Sequence, residues 1–213
     1  MSGPKMHEGA SSQNARGRVT YDRMAGHYER AMRPLEKWFL ARLRAKALAS
    51  LPDNARLLEI GAGTGLNFPF YPQATRGAAT ELSREMLKIA RGKKRPRGVQ
   101  LVRNNAESLP FDDASFDAAL ATLVLCSVAS PARCFAELRR VVKPGGTIVL
   151  LEHVRPEGVL GPLFDALSLI TVALFDDHFN RRTAQLAESA GLKLLKQERH
   201  ALGIINIIEL RRV

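Results

Sequence analysis

The run Leu57-Leu58-Glu59-Ile60-Gly61-Ala62-Gly63-Thr64-Gly65 constrains this chain more than any other stretch. It reads as a buried strand that ends in a glycine-rich turn and feeds a helix. Twenty positions past Gly61 stands Glu81, closing a second strand-like run. This layout suits a nucleotide-bearing cofactor: backbone N–H groups approach the ligand where Cβ atoms are absent, and a carboxylate receives ribose hydroxyls. Leu66 stands where a dinucleotide-binding GxGxxG turn has its third glycine. A nicotinamide dehydrogenase reading rests only on the glycine turn, which departs from that pattern at Leu66.

Beyond Pro52, strand-like runs at 56–60, 76–81, 99–103, 116–125, 146–153, 193–199 and 203–211 alternate with helical patterns. Ser83 is placed to cap one helix. Ser130-Pro131 supplies a cap and an N1 proline for another, and Lys143-Pro144-Gly145-Gly146 stops it. The alternation predicts an α/β fold, a doubly wound sheet with a mostly parallel body. Too few residues separate the last two runs for a parallel crossover, so they are expected to pair antiparallel at the sheet edge. With 213 residues the chain can bury one sizeable core.

Three segments are expected: a disordered tail over 1–18, an N-terminal amphipathic helical segment over 19–52, and a main domain over 53–213 with an apolar insertion at 156–180. No apolar leader follows the start, which argues against a secretory signal. Cys126 and Cys134 lack CxxC spacing and read as reduced core thiols of a cytosolic chain. No residue set has zinc-ligand spacing, so no metal is expected.

Lys and Arg number 32 against 21 Asp and Glu, a net charge of +11. Such a charge draws a protein to polyanions, either nucleic acid or an anionic membrane surface. The N-terminal segment reads as two helices, Tyr21–Met32 and Leu35–Leu51, joined through Pro34. In the second, Leu35, Trp38, Phe39, Leu43, Ala47 and Leu48 recur at helical spacing, while Arg33, Lys37, Arg42, Arg44 and Lys46 supply the charge, opposed only by Glu36. Such a helix can lie on anionic lipid or pack its stripe on the core. From Gly158 to Phe175 the chain is almost wholly apolar but is interrupted by Pro162 and Asp165, which excludes a transmembrane helix. Its place after the fifth strand suits a lid over a lipophilic acceptor or a membrane-dipping element.

At this point the motifs resemble those of the class I S-adenosylmethionine-dependent methyltransferases. Leu57–Gly65 resembles the first motif, and Thr80–Leu87 the acidic loop after the second strand. Asn105–Phe111 is similar to a D-A-E-x-L-P-F segment, with Asn105 in the aspartate position. Phe116–Ala118 with Thr122–Leu125 matches the fourth strand, and Arg139–Gly146 resembles the L-K-P-G-G turn. The resemblance covers roughly residues 20–213 and implies a Rossmann-like seven-stranded sheet with an antiparallel last strand. Gly65–Pro72, Leu123–Val128, Glu152–Val154 and the opening Tyr21–Glu29 are similar to segments of bacterial phosphatidylethanolamine N-methyltransferases and membrane-associated thiol methyltransferases.

What the resemblance implies is S-adenosylmethionine as cofactor, leaving S-adenosylhomocysteine. Cofactor contacts are expected from Tyr21, Glu59, Gly61, Ala62, Gly63, Gly65, Asn67, Glu81, Leu82, Met86, Asn105, Ala106, Glu107, Thr122 and Leu123. Glu59 would orient the ammonium, Glu81 would take both ribose hydroxyls, and Leu82 and Met86 would flank the adenine. An amine acceptor must lose a proton before attack, for which Tyr21, Tyr28, His153 and His178 are the candidate groups, with Asp177 available to pair with its ammonium. The expected enzyme is a monomer in the cytoplasm, peripheral to the inner face of the membrane and without a transmembrane helix. It would methylate a lipophilic acceptor, foremost the headgroup amine of phosphatidylethanolamine. A soluble thiol or quinone methyltransferase and a nucleic-acid-binding module are the alternatives. Apolar Leu123-Val124-Leu125-Cys126 in place of an N-P-P-Y motif speaks against base flipping and nucleic acid.

Overall fold

The structure, a computed structural model, describes residues 22–23, 25–27, 29–158, 160–175, 178 and 180–213. Seven strands form one sheet: β1 Arg56–Ile60, β2 Arg76–Glu81, β3 Gly98–Arg103, β4 Phe116–Thr122, β5 Val142–His153, β6 Leu192–His200 and β7 Ile205–Arg212. Their order is β3-β2-β1-β4-β5-β7-β6. The first five pair parallel, and β7 runs antiparallel to both β5 and β6. The antiparallel pair is thus present, but β7 inserts between β5 and β6 and leaves β6 at the edge. Leu123, with φ at +57°, ends β4 earlier than the apolar run alone suggests.

Helices cover both faces of the sheet. Helix α1, Ala41–Ala49, places Leu43, Ala47 and Leu48 against Leu57, Leu120, Val149 and Leu151. Ala90 of α2, Arg84–Arg91, joins the same face. On the other face, Cys134, Phe135 and Leu138 of α3, Pro131–Val141, meet Leu58, Ile60, Ile148 and Leu150. Ala187 of α5, Thr183–Ser189, packs there too. Neighbouring residues of β1 and β5 thus serve opposite cores, as the period of two in a strand dictates. Ser83 and Ser130 cap α2 and α3, accepting from Met86 N at 3.2 Å and Arg133 N at 3.3 Å. Both cysteines are buried and neither forms a disulfide.

Two expectations for the N-terminal segment need correction. Pro34 does not divide two helices: residues 29–35 are helical and run on through a π-helical turn, Glu36–Leu40, into α1. The ladder bond that proline cannot make is absorbed by a widened turn. The apolar stripe also splits, for Leu40, Leu43, Ala47 and Leu48 are buried while Trp38 is 75% exposed. Lys37 Nζ sits 5.2 Å from the Trp38 ring centroid. The apolar insertion folds as α4, Leu160–Phe175, with Pro162, Leu163, Ala166 and Leu167 on its exposed face. No helix among the described residues is long and apolar enough to cross a membrane.

Candidate functional site

A cavity opens across the C-terminal ends of β1 to β4, where the strand order reverses between β1 and β4. Each strand delivers its following residues to the wall. Gly61–Thr64 and Leu66 come after β1, Glu81–Ser83 with Met86 after β2, Asn104–Ala106 after β3, and Thr122–Val124 with Ser127 and Val128 after β4. Gly61, Gly63 and Gly65 all have positive φ, at +62°, +56° and +81°, a backbone that L side chains rarely adopt. A Cβ on Gly63 would meet nothing within 4 Å, so the turn leaves open space beside its backbone.

Glu81 anchors this turn. Its Oε2 accepts from Gly63 N at 2.8 Å and its Oε1 from Ser83 N at 2.7 Å. Burial raises its pKa, against the opposing effect of those amides. One carboxylate thus ties the glycine turn to the start of α2 and still has acceptor capacity toward the cavity. Asp22 reaches the same place, accepting from Ser83 Oγ at 2.5 Å and Glu85 N at 3.2 Å.

Glu59 has a different placement from the expected one. It is fully buried, does not line the cavity, and accepts from Asn67 Nδ2 at 2.5 Å and from the Tyr71 hydroxyl. Burial raises its pKa even so, and pushes the Tyr71 phenol well above its usual value. Asn67 also lies behind the wall, donating to Thr122 Oγ1 at 2.9 Å. The cation that reaches the cavity is Arg44. Its guanidinium donates to Asn67 Oδ1 at 2.9 Å, Thr122 Oγ1 at 2.8 Å and Glu36 Oε1 at 2.7 Å. Only 3% exposed, it sits on the core side of α1 and not on a solvated basic face. A buried cation with three partners costs less to keep than one with none.

Of the other expected cofactor residues, Gly61, Ala62, Gly63, Glu81, Leu82, Met86, Asn105, Ala106, Thr122 and Leu123 line the cavity. Gly65 and Glu107 do not. A Cβ on Gly65 would strike the Phe68 ring at 2.4 Å, and Glu107 accepts from Ser130 N at 3.0 Å at the start of α3. Asn105 Oδ1 accepts from Glu107 N at 3.0 Å.

The candidate proton acceptors come together less well. Tyr21, Tyr28 and Asp177 lie outside the described residues. His153 ends β5 away from the cavity lining, and burial pushes its pKa down to about 4. It is neutral at pH 7 and too weak a base to take a proton from an ammonium. His178 donates its backbone N–H to Cys126 O at 3.0 Å and does not line the cavity. Sequence reasoning missed Asp22, Glu152 and Arg181, and read Arg44 only as one charge of a basic helix. Glu152 is fully buried and accepts from Val124 N at 2.9 Å and Leu125 N at 3.0 Å; its signals were a carboxylate in an apolar strand and the similarity of Glu152–Val154 to a family segment.

Residues 58–150 match the family described as "Methyltransferase domain". A thiol S-methyltransferase of Mus musculus is 37% identical over 119 residues, covering 53% of this chain and 49% of its own length. A phosphatidylethanolamine N-methyltransferase of Cereibacter sphaeroides is 35% identical over 118 residues, covering 53% and 58%. A demethylmenaquinone methyltransferase of Clavibacter sepedonicus is 35% identical over 147 residues, covering 64% and 57%. The chain thus spans about half the length of the curated relatives it matches. Among solved structures, an S-adenosylmethionine-dependent methyltransferase of Thermotoga maritima, described as a possible histamine N-methyltransferase, is similar at a TM-score of 0.71 with 26% identity. That match covers 92% of this chain and all of the other. The fold is shared as well by a geranyl diphosphate C-methyltransferase of Streptomyces coelicolor solved with S-adenosylhomocysteine, at a TM-score of 0.65, 16% identity and coverage of 82% and 80%. These matches support S-adenosylmethionine as the cofactor. Residues 58–150 match a methyltransferase domain, and the chain is similar in fold to S-adenosylmethionine-dependent methyltransferases.

Proposed function

We propose that this chain transfers a methyl group from S-adenosylmethionine to a lipophilic acceptor at a membrane surface, foremost the headgroup amine of phosphatidylethanolamine. The carrying observation is α4: this apolar helix exposes Leu163 and Leu167, and the segment after it reaches the cavity wall through Arg181. The net charge of +11 favours an anionic surface, and one relative is a phosphatidylethanolamine N-methyltransferase.

The residues present fit the cofactor. An open glycine turn, a buried carboxylate with capacity to spare, and a buried guanidinium line one cavity. Gly61 and Gly63 would meet the amino-acid end with backbone alone, and Arg44 would face its carboxylate. Glu81 would accept the ribose hydroxyls. Leu82, Met86 and Ala106 would flank the base, with Asn105 beside its amino group. When bound, the cofactor supplies a methyl already activated by its sulfonium. The chain's own part is alignment and exclusion of water. Since His153 is neutral and a weak base, an amine acceptor would arrive in its neutral form, about one in 10³ to 10⁴ molecules at pH 7.

The test is incubation of the purified chain with radiolabelled S-adenosylmethionine and vesicles of phosphatidylethanolamine with anionic lipid, beside a soluble alkyl thiol. Label in the lipid, dependent on anionic vesicles, supports the reading. Label on the thiol alone, unaffected by vesicles, replaces it with thiol methylation.

A further inference from the structure

The wall of the cavity after β4 is held from two opposite sides by charged groups, one near the end of β5 and one after α4. On its N–H side, Glu152 Oε1 accepts from Val124 N and Leu125 N at 2.9 and 3.0 Å. On its carbonyl side, the Arg181 guanidinium forks, with Nη1 donating to Leu125 O and Nη2 to Val128 O at 2.8 Å. His178 N adds a bond to Cys126 O at 3.0 Å. The wall needs such help, because Leu123 carries a φ of +57° and non-glycine residues hold that conformation only when their surroundings enforce it. A planar fork suits two carbonyls; a lysine ammonium, a point charge on a flexible stem, does not hold both in fixed geometry.

The same segment grips α4. Asn180 Nδ2 donates to Asp165 Oδ1 at 3.2 Å, and Ser168 Oγ lies 3.0 Å from Asn180 Oδ1. Arg155 pairs with Asp165 at 2.8 Å, and Arg155 N donates to Arg181 O at 3.2 Å. A continuous set of contacts therefore runs from the exposed apolar helix through Asp165, Asn180 and Arg181 to the wall of the cofactor cavity.

We propose that Arg181 is a positioning residue that couples α4 to the cavity wall at 122–128, so that an acceptor engaged by α4 sets the shape of the cofactor site. This rests on the methyl-transfer reading for its consequence, while the mechanical link stands on the contacts themselves. Such coupling requires an element with two arrangements, and in this proposal that part falls to the turn at Leu123, whose left-handed backbone is held by its surroundings.

Hydrogen exchange of the full chain tests the link without any cofactor. In Arg181→Ala and Arg181→Lys, amides of 123–128 should exchange at least about tenfold faster while those of β4 keep their protection. Asp165→Ala, which changes a half-exposed residue remote from the wall, should loosen the same amides. Calorimetry with S-adenosylhomocysteine should show Kd raised about tenfold in both Arg181 variants, the size of one charge-assisted hydrogen bond. Millimolar guanidinium should restore Arg181→Ala in part and leave Arg181→Lys unchanged. Unchanged exchange at 123–128 in the Arg181 variants, or loss of protection across the whole sheet, overturns the positioning role. A loosened wall in those variants with none in Asp165→Ala overturns the coupling to α4. If the unaltered chain fails to bind S-adenosylhomocysteine while the exchange result holds, the methyl-transfer reading fails and the wall clamp stands.

Discussion

Val124 closes over Gly61 so tightly that a Cβ on Gly61 would stand 2.4 Å from Val124 Cγ2 and 2.7 Å from Cγ1. The glycine turn after β1 and the wall after β4 are therefore one packed unit. Gly61→Ala must move Val124 and also pay about 1–2 kcal/mol for its left-handed backbone. Gly63→Ala carries the backbone cost alone, since nothing lies within 4 Å of its Cβ. We expect Gly61→Ala to lower the melting temperature more than Gly63→Ala does. Gly63→Ala should weaken S-adenosylhomocysteine more than its stability loss accounts for, because its methyl enters the cavity. Differential scanning calorimetry and titration calorimetry on both variants check this.

The glycine turn and Glu81 were legible because their chemistry is written in local spacing. β1, β2 and β4 begin within a residue of their expected starts, and both serine caps form, because period-two burial and capping are local too. What was not legible depends on contacts far apart in the chain. Arg44 reads as one more charge on a basic helix until Glu36, Asn67 and Thr122 surround it. Glu59 reads as a ligand for an ammonium until Tyr71 and Asn67 take its oxygens. Arg181 gave no signal at all, because its partners are backbone carbonyls, which every residue has.

Arg44 is buried and pairs with the part-buried Glu36, with side-chain exposures of 4% and 14%. Arg44→Met should destabilise by less than the about 3–5 kcal/mol of a fully buried pair, since water reaches the Glu36 left without its cation. Adding Glu36→Gln should recover part of that loss, since the uncompensated charge is then gone. The double-mutant cycle in urea gives the coupling. S-adenosylhomocysteine affinity should stay reduced in the double variant, because the cavity keeps no cation there.

Glu81 predicts an acid limb in cofactor binding. Its folded pKa is raised by burial above the ordinary carboxylate value. Ribose hydroxyls are accepted by the ionised form, so affinity should fall as pH drops through that raised pKa. The effect on stability has the opposite sign. A raised carboxylate contributes stability that is full below its unfolded pKa and lost as pH rises through its folded one. Titration calorimetry between pH 4.5 and 7.5, a range set by the ordinary Glu value of about 4.3, should show the limb. In Glu81→Gln affinity should be lower throughout and flat with pH.

The acceptor atom can be read from the alkaline side of the pH profile. An amine attacks as its neutral form, so kcat/KM should climb about tenfold per pH unit and keep climbing toward its free pKa near 10.4. A thiol of cysteine-like acidity attacks as thiolate and levels off near its pKa of about 8.5. Because kcat/KM reports free enzyme and free substrate, desolvation of the bound acceptor does not shift either bend. His153, with its pKa pushed down to about 4, adds no ionisation between pH 6.5 and 9.5. A His153→Asn variant should therefore keep the shape of the profile whatever it does to the rate. A rise that continues through about pH 9.5 with phosphatidylethanolamine vesicles supports amine methylation. A plateau near about 8.5 with a cysteine-type thiol, and no turnover of the lipid, supports the thiol reading.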